Sequence, residues 1–594
     1  MKTIWRMKND FNVEDIDNFS KTLGVSKALG LILYSRGIQN IDDAEKFLNP
    51  KLRYLHSPRN MMDMDKGTNI ILDAINQKKS IVIYGDYDCD GVTSTTIMYK
   101  GLLKCGARVS YHLPDRIEEG YGLNSETIKK LHKNGCEVII TCDNGISCIE
   151  QVKLAKSLGM TVVITDHHEI PFEVNERGEK IELIPDADAV INPKRSDCKY
   201  PFKHLCGAGV AFKFIQTMYH KCKIDSKELH EFIELAAIGT ICDVVELTGE
   251  NRIIASIGIK MLNQTTNKGL RALIREIGYE GKKLRSGNIG FQLGPCINAT
   301  GRLESAEISV ELLMSEDESK AEDMAKKLRR LNKERQDLTN KALEEIILQI
   351  ENSKLINDKV LVVYKHDLHE SLAGIIAGRL RDRYNRPALV ITKAKESAKG
   401  SGRSIEEYDM FSELTKCKDL LIKVGGHPMA AGFSLLEENI DGFRKMLNEN
   451  CKLTEKDLTC KIDIDEVLKI QDINMEFINE IEKLEPFGKG NKEPLFKIEN
   501  TIIEKIDIIG KNKDMFKFLC KQSGVETSMT AVKFSEADML ITNLKEYVED
   551  IPLEEVMRNP MEINLKMDIV FKPSINEWNN NISVQMLIND YRIL

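Results

Sequence analysis

Three short apolar segments, each running into acidic or histidine residues, constrain this chain more than any other feature. Ile81-Val82-Ile83-Tyr84 leads into Gly85-Asp86-Tyr87-Asp88-Cys89-Asp90-Gly91, and Val138-Ile139-Ile140-Thr141 into Cys142-Asp143-Asn144-Gly145. Thr161-Val162-Val163-Ile164-Thr165 leads into Asp166-His167-His168. Short apolar runs bounded by turn residues read as buried strands. In an open parallel sheet, ligands bind in the crevice beyond the carboxyl ends of the strands. The three endings therefore point at one pocket. So many carboxylates repel one another unless cations neutralise them, so the pattern suggests a site for two metal ions.

Each ending has its own chemistry. Asp88 and Asp90, two residues apart at a strand end, point to the same side and can each serve a different metal, while Gly91 lets the backbone turn close by. An Asp-rich turn and a calcium loop are the other readings of Asp86, Asp88 and Asp90. A calcium loop of the EF-hand type needs flanking helices and a glutamate at its twelfth position; here a strand precedes and Thr93-Ser94-Thr95-Thr96 follows. Asp143 alone would read as a loop residue, but its equivalence to the first ending makes it a carboxylate able to bridge two cations about 3.5–4 Å apart. Neutral imidazole suits Mn²⁺ or another first-row metal better than Mg²⁺. Of two adjacent histidines, one can ligate while the other meets substrate. Asp243, after Ile238-Gly239-Thr240-Ile241-Cys242, would complete the set; its alternative is a helix cap.

From about residue 80 to 195, short strands alternate with helical stretches such as 125–133 and 150–158, which reads as a doubly wound α/β sheet. Residues 207–315 are more helical. A long amphipathic segment follows, with Ser315 and Glu318 as a capping box and Ala321, Met324, Ala325, Leu328, Leu331, Leu338, Ala342 and Ile346 at helical spacing. At ~1.5 Å per residue this rigid connector reaches over about 50 Å, and its charges read as a solvated face. A second α/β unit begins at Val360-Leu361-Val362-Val363-Tyr364. From about 455 the pattern shifts to short strands, at 460–464, 502–509, 516–520, 529–532 and 563–570, which suggests a small β-barrel, an OB-fold.

Beyond the strand endings, the chain carries Leu113-Pro114-Asp115-Arg116, Gly120-Tyr121-Gly122, Leu205-Cys206-Gly207-Ala208-Gly209 and the run Gly294-Pro295-Cys296-Ile297-Asn298-Ala299-Thr300-Gly301-Arg302. Ala377-Gly378-Arg379-Leu380, Gly400-Ser401-Gly402-Arg403-Ser404, Gly425-Gly426-His427-Pro428 and Glu485-Pro486-Phe487-Gly488 follow. The acidic and histidine set resembles the DHH phosphoesterase superfamily, and the later glycine-rich motifs, in order along nearly the whole chain, resemble its RecJ exonuclease family. The resemblance implies an α/β fold. A DHH domain with an N-terminal helical extension is expected over residues 1–314 and the connector helix over 315–353. A DHH-associated α/β domain is expected over 354–453 and an OB-like barrel that binds nucleic acid over 454–594. It implies Asp88 and Asp143 on one metal, and Asp90, Asp143, His167 and Asp243 on the other. Asp86 and Asp166 would orient ligands, and His168 would face the scissile phosphate. Arg116, Asn298, Arg302, Arg379, Ser401, Arg403 and His427 are the matching positions for gripping the DNA and its 5′ phosphate; arginine forks bind phosphate bidentately. One loop departs from the family: Leu368-His369-Glu370-Ser371-Leu372 stands where the relatives carry Trp-His-Pro-Gly-Val.

The implied activity is 5′→3′ hydrolysis of single-stranded DNA to mononucleotides in DNA repair and recombination, with two Mn²⁺ or Mg²⁺ ions per site. Implied partners are single-stranded DNA, single-strand-binding protein and a RecQ-type helicase, with no membrane association and a monomeric state. Two rivals are a hydrolase of short oligonucleotides on the same kind of site, against which the C-terminal strands argue, and a replication scaffold without chemistry, against which the intact acids argue. A net charge of −8 excludes a generic basic coat for nucleic acid but not a nuclease with a local positive groove. Fourteen cysteines without C-x-x-C spacing indicate neither a zinc ribbon nor a disulfide framework. With no signal-peptide core at Met1–Arg6 and no membrane-length apolar run, a reducing cytoplasm is expected.

Overall fold

The structure, a computed structural model, describes residues 3–7, 11–175, 177–395, 397–547, 551–578 and 581–594. The apolar runs that end in acids form the middle of a five-stranded sheet. Its strands are β1 (Ser80–Tyr84), β2 (Arg108–His112), β3 (Val138–Thr141), β4 (Thr161–Thr165) and β5 (Ala189–Ile191), in the order β2-β1-β3-β4-β5. Every pairing is parallel. Such a sheet is covered on both faces, and its strands are apolar on both sides. Ile81, Ile83, Val138, Ile140 and Val163 bury into one core with helices α1 (Cys89–Lys104), α4 (Gly207–Cys222) and α5 (His230–Cys242). Val82, Tyr84, Ile139, Val162 and Ile164 bury into the other, with α2 (Ser125–Lys133) and α3 (Ile149–Ser157). The adjacent carboxyl ends of β1, β3 and β4 thus open onto one crevice.

The helices of the same domain hold a buried ion pair. Lys213 Nζ on α4 stands 2.7 Å from Glu250 Oε1 on α6 (Gly249–Leu262), with the two side chains 0% and 1% exposed. Tyr200 Oη donates to Glu250 Oε2 at 2.5 Å, the His56 amide donates to Oε1 at 2.7 Å, and Lys213 donates to the His56 carbonyl at 2.8 Å.

A helix containing α7 (Gly294–Leu303) precedes the connector α8, which runs from Glu318 to Glu351 over 34 residues. Its start differs from the expected capping box: Asp317 is the N-cap, accepting from the Lys320 amide at 3.1 Å, whereas Ser315 is the C-cap of an intervening short helix, Glu307–Met314. The buried stripe also shifts. Leu338 is exposed at 42%, and the buried positions between Leu331 and Ala342 are Asn332 and Thr339. The stripe therefore crosses a polar stretch at mid-helix, which hydrophobicity alone cannot register.

Past α8, the strands β6 (Leu361–Tyr364), β7 (Ala388–Lys393), β8 (Ala398–Arg403), β9 (Leu421–His427) and β10 (Ala430–Leu435) form a second sheet in the order β9-β10-β8-β7-β6. Helix α9 (Ala373–Tyr384) packs on it through Ile376, Ala377 and Leu380.

Thr3–Lys51 and Lys461–Leu594 form a separate compact unit. This corrects the expected attachment of the N-terminal helices to the DHH domain; Met1, Lys2 and residues 8–10 of that segment lie outside the described residues. The reason is apolar: Phe19, Leu29, Ile32, Leu33 and Ala44 share one core with Leu468, Phe496, Phe518 and Phe571. Amphipathic helices announce that they need a partner, not which one. The strands β11 (Phe496–Ile509), β12 (Met515–Lys521), β13 (Met529–Lys533), β14 (Lys566–Trp578) and β15 (Asn581–Ile593) close into a ring, β14 pairing back to β11. In β12 Phe516, Phe518 and Cys520 point inward while the alternate residues are half-buried. Cys460–Ile464, expected in the barrel, pairs instead with Thr3–Met7 in a two-stranded sheet. All fourteen cysteines are free thiols. Among the described residues no helix is long and apolar enough to cross a membrane.

Candidate metal centre and phosphate cluster

The crevice collects the acids and imidazoles of the three strand ends together with Asp243. Three overlapping sets have ligand atoms within 4.8 Å of one another: Asp86, Asp88 and Asp143; Asp90, His167 and Asp243; and Asp143, His167 and His168. His167 Nε2 lies 3.0 Å from Asp143 Oδ1 and 3.7 Å from both Asp90 Oδ2 and Asp243 Oδ2.

Local backbone explains each placement. Asp88 caps α1, accepting from the Gly91 amide at 3.0 Å, and so turns the strand into a helix beside its own carboxylate. Asp90 accepts from the Gly207 and Ala208 amides at 2.6 and 2.8 Å, at the N-terminus of α4, where the helix dipole favours negative charge. Asp143 adopts a left-handed backbone, φ 64°, an uncommon conformation outside glycine that recurs where function over-determines the chain. Asp243 follows the last turn of α5 as its C-cap. Asp166 stands apart from the three sets. Its Oδ1 accepts from the His167 and His168 amides at 2.7 and 3.1 Å and from His168 Nδ1 at 2.8 Å, and its Oδ2 accepts from the Ile146 amide at 2.9 Å. Those four bonds use the carboxylate to aim the histidines.

The electrostatics divide these groups. Burial, then the neighbouring Asp88, pushes the Asp86 carboxyl well above its ordinary value. The same two causes raise Asp90 to about 6. Burial followed by repulsion from Asp90 and Asp88 raises Asp143 and Asp243. Burial likewise pushes His167 far down, keeping its imidazole neutral and able to ligate. His168 goes the other way. Burial opposes its ionisation, but Asp166 outweighs that and lifts it to about 9; reciprocally, Asp166 falls to about 2 despite burial.

A divalent cation pair fits this donor set. Asp86 Oδ1, Asp143 Oδ1 and both ring nitrogens of His167 are buried without a hydrogen-bond partner. A carboxylate oxygen and an imidazole nitrogen held 3.0 Å apart without a hydrogen bond are lone pairs aimed at a common cation. Mixed carboxylate and imidazole donors suit Mn²⁺ and tolerate Mg²⁺.

Beside the acids lies a cluster of cations. Burial, then Arg116 and Arg335, pushes Arg302 down to about 9. Burial, then Arg381 and Arg116, lowers Arg403, and burial with Arg379 lowers Arg335. Among the described residues, Arg116, Arg302, Arg335, Arg379 and Arg403 form no ion pair with a carboxylate. Cations crowded together without paired carboxylates form an anion site. Arg116 stacks over the Tyr87 ring at 4.7 Å, inside the first acidic motif. Arg403 Nη1 donates to Ser401 Oγ at 3.1 Å, and Arg379 Nη1 to Asn340 Oδ1 at 2.6 Å. Arg302 donates to the Ser371 carbonyl, so the loop that departs from the family still supplies a backbone acceptor.

Asn298 Oδ1 accepts from the Cys89 amide at 2.7 Å, bracing the first acidic motif. His427 is exposed near the β9–β10 turn and accepts from the Met429 amide at 3.2 Å. Two residues escaped sequence reasoning. Arg335 is half-buried on a helix whose charges read as solvated; its place between Asn332 and Thr339 on the buried stripe was the available signal. Tyr121 Oη lies 3.0 Å from His168 Nδ1 and donates to the Asp143 carbonyl at 3.2 Å.

Known proteins share this architecture. The DHH family, N-terminal domain, matches residues 80–240, the DHHA1 domain residues 357–453 and the RecJ OB domain residues 464–590. The single-stranded-DNA-specific exonuclease RecJ of Bacillus subtilis is 38% identical over 581 residues, covering 97% of this chain and 69% of the relative. That of Haemophilus influenzae is 31% identical over 576 residues, covering 93% and 94%. The chain belongs to the RecJ family. The crystal structure of the Thermus thermophilus RecJ in complex with Mn²⁺ superposes with a TM-score of 0.81 at 25% identity, covering 99% of this chain and 79% of that one. The RecJ-family order of domains, DHH, DHHA1 and OB, is thus present, with acidic and histidine groups placed to bind metal ions.

Proposed function

We propose that this chain is a metal-dependent 5′→3′ exonuclease that hydrolyses single-stranded DNA to mononucleotides in DNA repair and recombination. The observation that carries the reading is the juxtaposition of an acid–imidazole cage holding buried, unbonded donor atoms with an arginine cluster that no carboxylate pairs. Asp88 and Asp143 would hold one ion, and Asp90, Asp143, His167 and Asp243 the other. Bound there, a pair of divalent ions supplies Lewis-acid charge and lowers the pKa of water. The chain's own residues do the rest. Asp166 holds His168 cationic and half-exposed, ready to meet a scissile phosphate oxygen. Arg302, Arg403 and Ser401 grip a terminal phosphate, which sets polarity, and Arg116 and Arg379 extend the grip. Asn298 keeps the first acidic motif in place, and His427 reaches the DNA backbone.

The OB ring binds single strands by stacking and backbone charge. Domains divide at 314/315, 353/354 and 453/454, with the N-terminal segment joining the last. The enzyme works as a cytoplasmic monomer, alongside single-strand-binding protein and a RecQ-type helicase.

The test is degradation of 5′-phosphorylated single strands by the purified chain. With Mn²⁺ the products are mononucleotides released from the 5′ end; EDTA stops the reaction and added Mn²⁺ restores it. Turnover indifferent to chelation, or a preference for dinucleotides over long strands, defeats the proposal. In the same assay Arg302→Ala is expected to raise KM on 5′-phosphorylated strands by about 10- to 100-fold, the value of one charge-assisted hydrogen bond. Its rate on 5′-hydroxyl strands should change little. Equal losses on both ends would remove Arg302 from the terminal phosphate.

A further inference from the structure

One helical face runs past all the acids of the first motif and on to Asp243. Ser286–Asn288, a π-helical turn at Ile289–Leu293 and α7 form continuous helical backbone. At Gly294 an added Cβ would stand 2.2 Å from Cys242 Sγ, next to Asp243. Asn298 holds the Cys89 amide, between Asp88 and Asp90. At Gly301 an added Cβ would stand 2.3 Å from the Tyr87 carbonyl oxygen, between Asp86 and Asp88. Steps of three and four residues keep these positions on one face, and the face ends at Arg302 in the cation cluster.

Three residues before Gly294, on the same continuous helical run, stands Phe291. It is 82% exposed, the most exposed large hydrophobic side chain among the described residues. The turn beneath it is firmly held. Ile289 and Leu293 are fully buried, and Asn288 Nδ2 and Gln292 Nε2 donate to Tyr279 Oη at 2.7 and 3.4 Å. Single π-helical turns inside helices are rare and concentrate at functional sites. Val244, 60% exposed and left-handed at φ 58°, directly follows Asp243. An aromatic ring presented to solvent from a rigid turn, on the helical run that braces the first acidic motif, has the properties of a stacking surface.

We propose that Phe291 stacks on a base of the single strand a few nucleotides in from the 5′ end, and so registers the scissile phosphate against the metal acids. This rests on the exonuclease reading above. The eleven steps from Phe291 to Arg302 span about 16 Å of helix at ~1.5 Å per residue. With the terminal phosphate at Arg302, Phe291 meets the strand beyond the cleavage point, where bases are still attached to uncut DNA. Stacking on an aromatic ring is indifferent to base identity, which suits an enzyme that must advance through any sequence.

The experiment uses the full-length chain with Mn²⁺ and 5′-phosphorylated oligodeoxythymidylates in which one abasic residue is moved stepwise from the 5′ end. Wild type should show one position, a few nucleotides in, where loss of the base raises KM about tenfold or more. Phe291→Ala and Phe291→Leu should raise KM on the unmodified strand by a similar factor and lose sensitivity at that position, while Phe291→Trp should retain both wild-type behaviours. Leucine keeps the apolar bulk without the ring, so a wild-type Phe291→Leu overturns stacking. Position profiles that are identical in wild type and Phe291→Ala overturn it too. Absence of metal-dependent cleavage by wild type would instead mark failure of the exonuclease reading.

Discussion

Asp143→Ala is expected to reduce metal-dependent strand cleavage by more than about a thousandfold, beyond the roughly 10²–10³ of a single oxyanion-hole donor. Asp143 belongs to two of the three ligand sets, and its Oδ1 faces His167 Nε2 at 3.0 Å. Its loss therefore weakens both ion positions, not one. The left-handed backbone at φ 64° aims the carboxylate, so Asp143→Asn keeps shape while removing charge and separates the two contributions. Thermal stability should be maintained or increased in Asp143→Asn without metal, because a buried carboxyl crowded by Asp90 and Asp88 opposes folding, whereas alanine at φ 64° gives part of that gain back as backbone strain. Initial rates over a Mn²⁺ titration, with calorimetric counting of bound ions, provide the measurement. A variant that binds two ions and cleaves at the wild-type rate would remove Asp143 from the centre.

The second large effect lies away from the chemistry. Glu250→Ala should destabilise the catalytic unit by about 3–5 kcal/mol, the usual consequence of stranding one member of a buried ion pair. Lys213 is fully buried, and burial already pulls its ammonium toward the neutral form against the support of Glu250. Tyr200 and the His56 amide lose their acceptor in the same step. Lys213→Met with Glu250→Gln removes both charges and should recover much of the loss. Urea unfolding of the three proteins checks this, and activity supplies a second reading, since Lys213 shares its helix with the Gly207 and Ala208 amides that hold Asp90. A Glu250→Ala protein as stable as wild type would show that the pair is dispensable.

The centre was legible because its parts lie at strand ends. A β-strand fixes which residues reach the crevice, so Asp86 to Asp90, Asp143 and Asp166 to His168 could be placed from order alone. Asp243, on a helix end, was legible as one more acid after an apolar run, and the resemblance to DHH phosphoesterases assigned it to a metal. The arginines at 116, 302, 379 and 403 were legible as motif positions, but Arg335 was not, because one charge among many on a long helix has no local mark of its burial. The N-terminal helices were visible as helices, yet their partner was hidden, because complementarity between surfaces distant in the chain leaves no periodic trace. The final strand, Asn581–Ile593, went unread, although Ile582, Val584 and Met586 alternate with Ser583 and Gln585 as in a half-buried strand.

The composition of the second compact unit from the two ends of the chain has a consequence for biosynthesis. Phe19, Leu29, Ile32 and Leu33 leave the ribosome first, but Phe496, Phe518 and Phe571, which complete their core, follow more than 400 residues later. At an elongation rate of ~5–20 residues per second that delay is roughly 20 to 80 s. Throughout it the nascent helices must remain sticky but uncommitted, which makes this segment a natural client for chaperones and the point where a stalled or truncated product would aggregate.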